Sequence, residues 1–224
     1  MDYNLKLYDH LLRFQLFQGL SRAELLQMAG NTKFGFMKKT AGQVLVSEGT
    51  VCQQLFFLIN GRMALTTQSD DGGYSVTEQL SAPWLLQPEV LFGVQPRFTG
   101  SWTTVTECHF ITLSKDEVLR LLDDFLIVRL NLLNQLSTQV QRRSRLSWRR
   151  APQSLRERLI RFFVDHCTYP AGHKAFRLLM TRLAAEVGES RLEVSRMLNQ
   201  MQSEGLVILH RGRIEVPLLE ALLM

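Results

Sequence analysis

Residues 181–201 read TRLAAEVGESRLEVSRMLNQM. Ala184, Gly188 and Val194 are spaced 4 and 6 apart. That is the requirement of two helices meeting at a tight turn. A small residue sits where the helices nearly touch, and a glycine supplies the left-handed turn conformation. A branched apolar residue is buried on the second helix. Ser190 followed by Glu193 reads as a capping box, which fixes where that second helix begins and predicts it over 190–203. Val194, Met197, Leu198 and Met201 then face a core. Arg191, Leu192, Ser195, Arg196 and Asn199 face outward, with Arg191 and Leu192 in the first turn.

First-turn residues of such a helix reach base edges when it lies in the major groove of duplex DNA. The arginine fork matches the O6/N7 pair of guanine, and a good bidentate contact contributes about 1–3 kcal/mol of discrimination. Leu192 suits a thymine methyl. Glu193 either accepts from cytosine N4 or serves only the cap. Arg191, Leu192, Ser195 and Arg196 are therefore the expected base readers. Downstream, EGLVILHRGRIEV places two short β runs around Arg211-Gly212, a hairpin. A helix-turn-helix followed by such a hairpin is a winged helix. Arg211 and Arg213 at its tip are expected on phosphates, as are Thr181, Ser190 and Asn199; such contacts supply affinity without sequence information.

Charge agrees with that assignment. The 224 residues carry a net charge of +5, unevenly spread. Residues 1–128 hold 10 Lys+Arg against 13 Asp+Glu, and residues 129–224 hold 16 against 8. A basic C-terminal half points to a polyanionic partner.

Working toward the N-terminus, FLIVRLNLLNQLSTQVQRR carries Leu126, Leu130, Leu133, Ser137 and Val140 at steps of 4, 3, 4 and 3. This is a heptad seam of about two and a half repeats, expected to pair with a second copy. RRSRLSWRRAPQ, residues 142–153, reads as the helix end and a hinge stopped by Pro152. SLRERLIRFFVDHC follows as another helix, with Leu155, Leu159, Phe162 and Phe163 on one face. Between about 33 and 113, short apolar runs alternate with turns at Gly42, Gly49, Asn60-Gly61 and Asp71-Gly72-Gly73. That spacing predicts a roll or sandwich of antiparallel strands. Ahead of it, LLRFQLF and SRAELLQMA predict two short helices, the second capped by Ser21 with Glu24. The expected boundaries are 1–119 for a sensor roll, 120–150 for the dimerisation helix and hinge, and 151–224 for the DNA-binding domain.

Cys52, Cys108 and Cys167 stand far apart, with no CxxC pair to suggest zinc or an iron–sulfur cluster. Their sparseness fits a reducing cytoplasm. No signal peptide is evident, and no apolar run approaches the roughly 18 residues of a membrane span. No nucleophile–base set, phosphate loop or paired metal ligands can be assembled, so an enzyme is not expected.

TRLAAEVGESRLEVSRMLNQMQSEGLV resembles the winged helix-turn-helix of the catabolite activator/fumarate-nitrate regulator (CRP/FNR) family. The family's recognition pattern Ser-Arg-Glu-Thr-Val-Ser-Arg stands here as Ser190-Arg191-Leu192-Glu193-Val194-Ser195-Arg196. GQVLVSEGTVCQQLFFLINGRMAL is similar to the family's cyclic-nucleotide-binding β-roll. The resemblance implies an α+β chain: an N-terminal roll (a double-stranded β-helix), a long dimerisation helix and a C-terminal winged helix-turn-helix. It implies a homodimeric transcription regulator that binds double-stranded DNA at an inverted repeat, with RNA polymerase and a small-molecule effector as further partners.

Two departures bear on function. The family's common base-reading Glu is Leu192, so the operator sequence does not carry over. In LQPEVLFGVQPRFTGSW, Glu89 is kept, but Pro88 replaces the glycine that donates an N–H to the ligand phosphate. Arg97 and Thr99 are split by Phe98, which falls in the expected arginine slot. Glu89, Arg97 and Thr99 remain the effector-pocket candidates, and tight cyclic AMP binding is not expected. A haem sensor would need an axial ligand, whereas His10, His109, His166, His173 and His210 are scattered. The competing reading is a small-molecule or haem-binding sensor module whose C-terminal domain makes protein contacts only; no cofactor is assigned.

Overall fold

A computed structural model describes residues 2–146 and 148–223. The chain forms two compact units. One gathers the residues up to 63, 81–99 and 104–147, and the other gathers 64–80, 100–103 and 148 onward. Segments from the middle of the expected roll thus pack with the C-terminal residues.

In the first unit, α1 (Asp2–Leu11) is followed by a 3-10 turn (Gln15–Phe17) and α2 (Arg22–Asn31). The LLRFQLF segment expected to be a helix of its own instead supplies the end of α1 and that turn. Phe14, Leu16 and Phe17 are all buried, which a regular helix over the same residues would not allow on one side. Phe14 and Phe17 pack on Phe57 with centroids 5.0 and 5.5 Å away. The Ser21 capping box forms in both directions: Glu24 N–H donates to the Ser21 hydroxyl at 3.3 Å, and Ser21 N–H donates to the Glu24 carboxylate at 2.8 Å.

Strands β1 (Gly35–Lys39), β2 (Val44–Val46), β3 (Gln54–Asn60), β4 (Arg62–Gln68), β5 (Tyr74–Ser81), β6 (Trp84–Leu85), β7 (Ser101–Thr104) and β8 (Cys108–Ser114) follow in the expected region. In the first unit they make an antiparallel sheet of order β1-β8-β3-β6. Its centre, β3, buries Leu55, Phe56, Phe57 and Leu58 in succession, as a strand covered on both faces does. Gly61 turns the chain out of β3 with φ of +100°. A Cβ there would run into the Glu107 carbonyl, so only glycine fits.

Ser114 caps α3 (Lys115–Asp124) by accepting from Glu117 N–H at 3.3 Å. α4 (Leu126–Leu146) then runs on for 21 residues. Val128 and Leu132 are its buried residues. The Asn131 side chain donates to the Leu16 and Gln18 carbonyls at 3.1 and 2.8 Å, fixing α4 on the N-terminal turn.

The second unit holds α5 (Leu155–Asp165), β9 (Lys174–Leu178), α6 (Met180–Val187), α7 (Arg191–Ser203), β10 (Ile208–His210) and β11 (Arg213–Val216). Its sheet runs β10-β11-β9-β5-β4-β7. Its core joins Leu159, Phe163, Phe176, Leu183, Val187, Val194, Leu198, Met201, Ile214 and Val216 with Val76 of β5. The helix expected at 155 forms with Ser154 as cap, its hydroxyl accepting from Glu157 N–H at 3.2 Å. β9 was not expected from the sequence; it pairs with β11 on one side and β5 on the other, joining the wing hairpin to the rest of the sheet. No helix of the described residues is long and apolar enough to cross a membrane.

Candidate nucleic-acid interface

α6 and α7 meet as their spacing predicts. Ala184 is buried where the helices approach. Gly188 ends α6 at φ +63°, ψ +45°, and Glu189 N–H donates back to the Ala184 carbonyl at 3.0 Å. Val194, Leu198 and Met201 are fully buried under α7, and Met197 packs partly against the same core. At about 1.5–3 kcal/mol for each buried side chain, this face fixes which side of α7 remains for a partner.

The cap differs from expectation in one respect. The Ser190 hydroxyl accepts from Glu193 N–H at 3.2 Å, but the reciprocal bond is absent among the described residues. The Glu193 carboxylate instead takes Arg196 Nη1 at 2.7 Å, and Ser190 N–H donates to Glu189 at 3.1 Å. A guanidinium outcompetes a backbone amide for a carboxylate. Arg196 is thus held in place on the helix. Arg191 is exposed and makes no hydrogen bond or ion pair among the described residues. Leu192, next to Arg191, is 61% exposed. Ser195 is half-buried, and the Asn199 amide folds back onto the Ser195 carbonyl at 2.9 Å.

Two arginines that the sequence reading passed over position α7. Arg158 of α5 pairs with Glu189 at 2.9 Å, just before α7, and Arg156 pairs with Glu204 at 2.6 Å, just after it. Arg156 holds the Glu204 carboxyl below its ordinary range by hydrogen bonding to it. Alternating charges on a helix read as a solvated face, so no sequence signal marked them.

Thr181 is exposed in the first turn of α6. The residue preceding that helix is Leu179, which offers no side-chain cap. Uncapped N–H groups at a helix start suit an anion. At the wing, Arg211 is exposed at the turn. Arg213 is engaged: its guanidinium meets Glu215 at 3.0 Å, and the same carboxylate meets His173 and His210, each at 3.1 Å. Hydrogen bonding from His173, followed by the positive field of Arg213, lowers the Glu215 pKa.

The effector-pocket candidates each bond a different partner within the first unit. Glu89 accepts from Gln139 of α4 at 3.4 Å. Arg97 is exposed and donates to the Gly49 carbonyl at 2.8 Å. Thr99 accepts from buried Gln87 at 2.5 Å. Pro88 starts a short 3-10 turn, Pro88–Val90. Phe98 is buried, its ring 6.3 Å from Phe56. An apolar ring thus lies inward at the position expected for an arginine.

Of the histidines, His10 and His109 line an open polar cleft of about 380 Å³ with Arg13 and Asn60. His166 bonds the Phe162 carbonyl at 2.7 Å, and His173 and His210 share Glu215. Among the described residues, no three His, Cys, Asp or Glu side chains are grouped to hold a metal ion. On α4, Leu126, Leu130, Leu133 and Val140 are 60, 45, 53 and 64% exposed, so the seam is an open apolar stripe.

Comparison with known proteins agrees with this architecture. The Crp-like helix-turn-helix domain matches residues 157–224, and the cyclic nucleotide-binding domain matches residues 37–125. No curated protein sequence matches the chain. Among solved structures, the catabolite activator protein of Thermus thermophilus is similar in fold, with a TM-score of 0.53 at 23% identity over 93% of this chain and 96% of that one. The sensor domain of the transcriptional regulator DNR from Pseudomonas aeruginosa gives 0.55 at 19% identity, over 69% and 99%. The c-di-GMP-responsive global regulator CLP of Xanthomonas campestris gives 0.50 at 18%, over 82% and 94%. With a cyclic-nucleotide-binding roll and a Crp-like helix-turn-helix in this order, the chain belongs to the CRP/FNR family of DNA-binding transcription regulators.

Proposed function

We propose that the protein is a cytoplasmic homodimer that reads an inverted-repeat operator through α7 and does not respond to cyclic AMP. The observation that carries this is the outward face of α7: Arg191 unengaged, Arg196 braced by Glu193 and Leu192 exposed between them. Arg191, Leu192, Ser195 and Arg196 read bases. Thr181, Ser190, Asn199, Arg211 and Arg213 contact phosphate, with Arg213 exchanging Glu215 for it.

The exposed α4 seam supports the dimer, since four large apolar side chains in a stripe call for a partner surface. Two-fold symmetry then sets half-site centres about one helical turn apart. Buried Phe98 and Pro88 at the head of the 3-10 turn support the lack of response to cyclic AMP. An effector of the roll would be a small molecule other than cyclic AMP, and RNA polymerase would be the further partner.

Selection of bound sites from random duplexes is the test. The expected result is a palindromic consensus with guanine under the arginines. A single unpaired half-site would contradict the dimeric reading. Calorimetry showing micromolar cyclic AMP binding would contradict the other half.

A further inference from the structure

The β4–β5 hairpin is built into the same unit as the helix-turn-helix. β5 pairs antiparallel with β9 from Tyr74↔Leu178 to Glu78↔Lys174. Glu78 and Lys174 are both buried and meet at 2.8 Å. The remaining acceptor sites of Glu78 take the Thr168 and Tyr169 N–H groups at 2.8 and 3.0 Å. A buried carboxylate satisfied on every side holds its strand firmly, because displacing it would strand a lysine without a counter-charge.

That pairing fixes where the hairpin tip lies. Ser69–Gly73 is a rigid turn: Asp71 accepts from the Ser69 hydroxyl at 2.8 Å and from Gly73 N–H at 3.0 Å. The Asp71 carboxylate also meets Arg182 of α6 at 2.9 Å, and the Arg182 guanidinium lies 5.8 Å from the centre of the Tyr74 ring. Arg182 follows Thr181 in the uncapped first turn of α6, and it also pairs with Glu186 at 2.8 Å. Asp70 and Asp71 are exposed. The start of α6, where Thr181 lies, therefore has its arginine occupied by the exposed carboxylate of Asp71.

We propose that the β4–β5 tip is an autoinhibitory contact, in which Asp71 stands in for DNA phosphate against Arg182 of α6, exposed Asp70 next to it in sequence adds negative charge at the tip, and the β5–β9 pairing holds the hairpin there. The inference rests on the DNA-binding reading above. Duplex binding requires Arg182 to leave Asp71, and the carboxylates repel the approaching backbone until it does.

The test is Asp70→Asn with Asp71→Asn, set against Asp123→Asn with Asp124→Asn as a control of equal charge change at the end of α3. Asparagine keeps the acceptor that Ser69 and Gly73 use. Affinity is read by fluorescence anisotropy on a mixed-sequence duplex of about 30 base pairs, since phosphate contacts are independent of sequence. The tip variant should bind about fivefold more tightly at low salt, with the gain shrinking as salt screens it. The control should change by less than about twofold. Equal gains in both variants, or none in the tip variant, would overturn the inference while leaving DNA binding intact. Wild-type protein with no affinity for duplex at any salt would overturn the reading beneath it.

Discussion

Arg191 and Arg97 are both exposed arginines, one in the first turn of α7 and the other in the roll beside Phe98. Arg191 projects from a capped helix whose opposite face is buried, and it makes no hydrogen bond or ion pair among the described residues. Arg97 donates to the Gly49 carbonyl, while its neighbour Phe98 takes the interior. The difference is one of local order. A guanidinium displayed on a rigid helix is ready for a partner, whereas one engaged by a backbone carbonyl beside an aromatic core is structural. The guanidinium on α7 is left open, and the one in the roll is engaged by its own backbone.

The sharpest way to break that contrast is to remove the open side. Arg191→Ala with Arg196→Ala should cost about 2–6 kcal/mol of affinity for a selected operator, at about 1–3 kcal/mol per bidentate contact. Circular dichroism should show the fold unchanged. On the closed side, Phe98→Ala should cost about 3–5 kcal/mol of stability through the cavity it leaves, measured by urea unfolding. Ser190→Ala should remove the cap of α7 and cost about 1 kcal/mol. Arg97→Ala should shift stability by less than about 0.5 kcal/mol and leave operator affinity alone, as exposed surface changes do. A large loss of DNA binding in that last variant would mean the cassette is still coupled to the reading helix.

Acid provides the mildest test. The Glu215 pKa is lowered by His173 and Arg213. Its contribution to the wing is therefore present above the ordinary carboxylate range and fades as the pH falls through its lowered value. A Glu215→Gln variant should show a flatter loss of thermal stability on acidification than the wild type.

Much of the helix-turn-helix was legible because its determinants are local. Ala184, Gly188, Ser190 and Val194 lie within eleven residues and obey helix and turn chemistry that sequence displays directly. The α4 seam was legible for the same reason. β9 was not. KAFRL is short and begins with a lysine, which reads as a solvent charge; it is buried because Glu78 arrives from 96 positions earlier. The diversion of Glu193 to Arg196 and of Arg213 to Glu215 was equally hidden, since competition between partners depends on distances that spacing does not supply.

The ion pairs from Arg156 and Arg158 brace α7 at both ends from a neighbouring helix, leaving exposed Arg191 and Leu192 of its first turn without structural duties among the described residues. Those outward positions can be exchanged in combination without disturbing the mount. The protein is therefore a suitable starting point for building libraries that target new promoters.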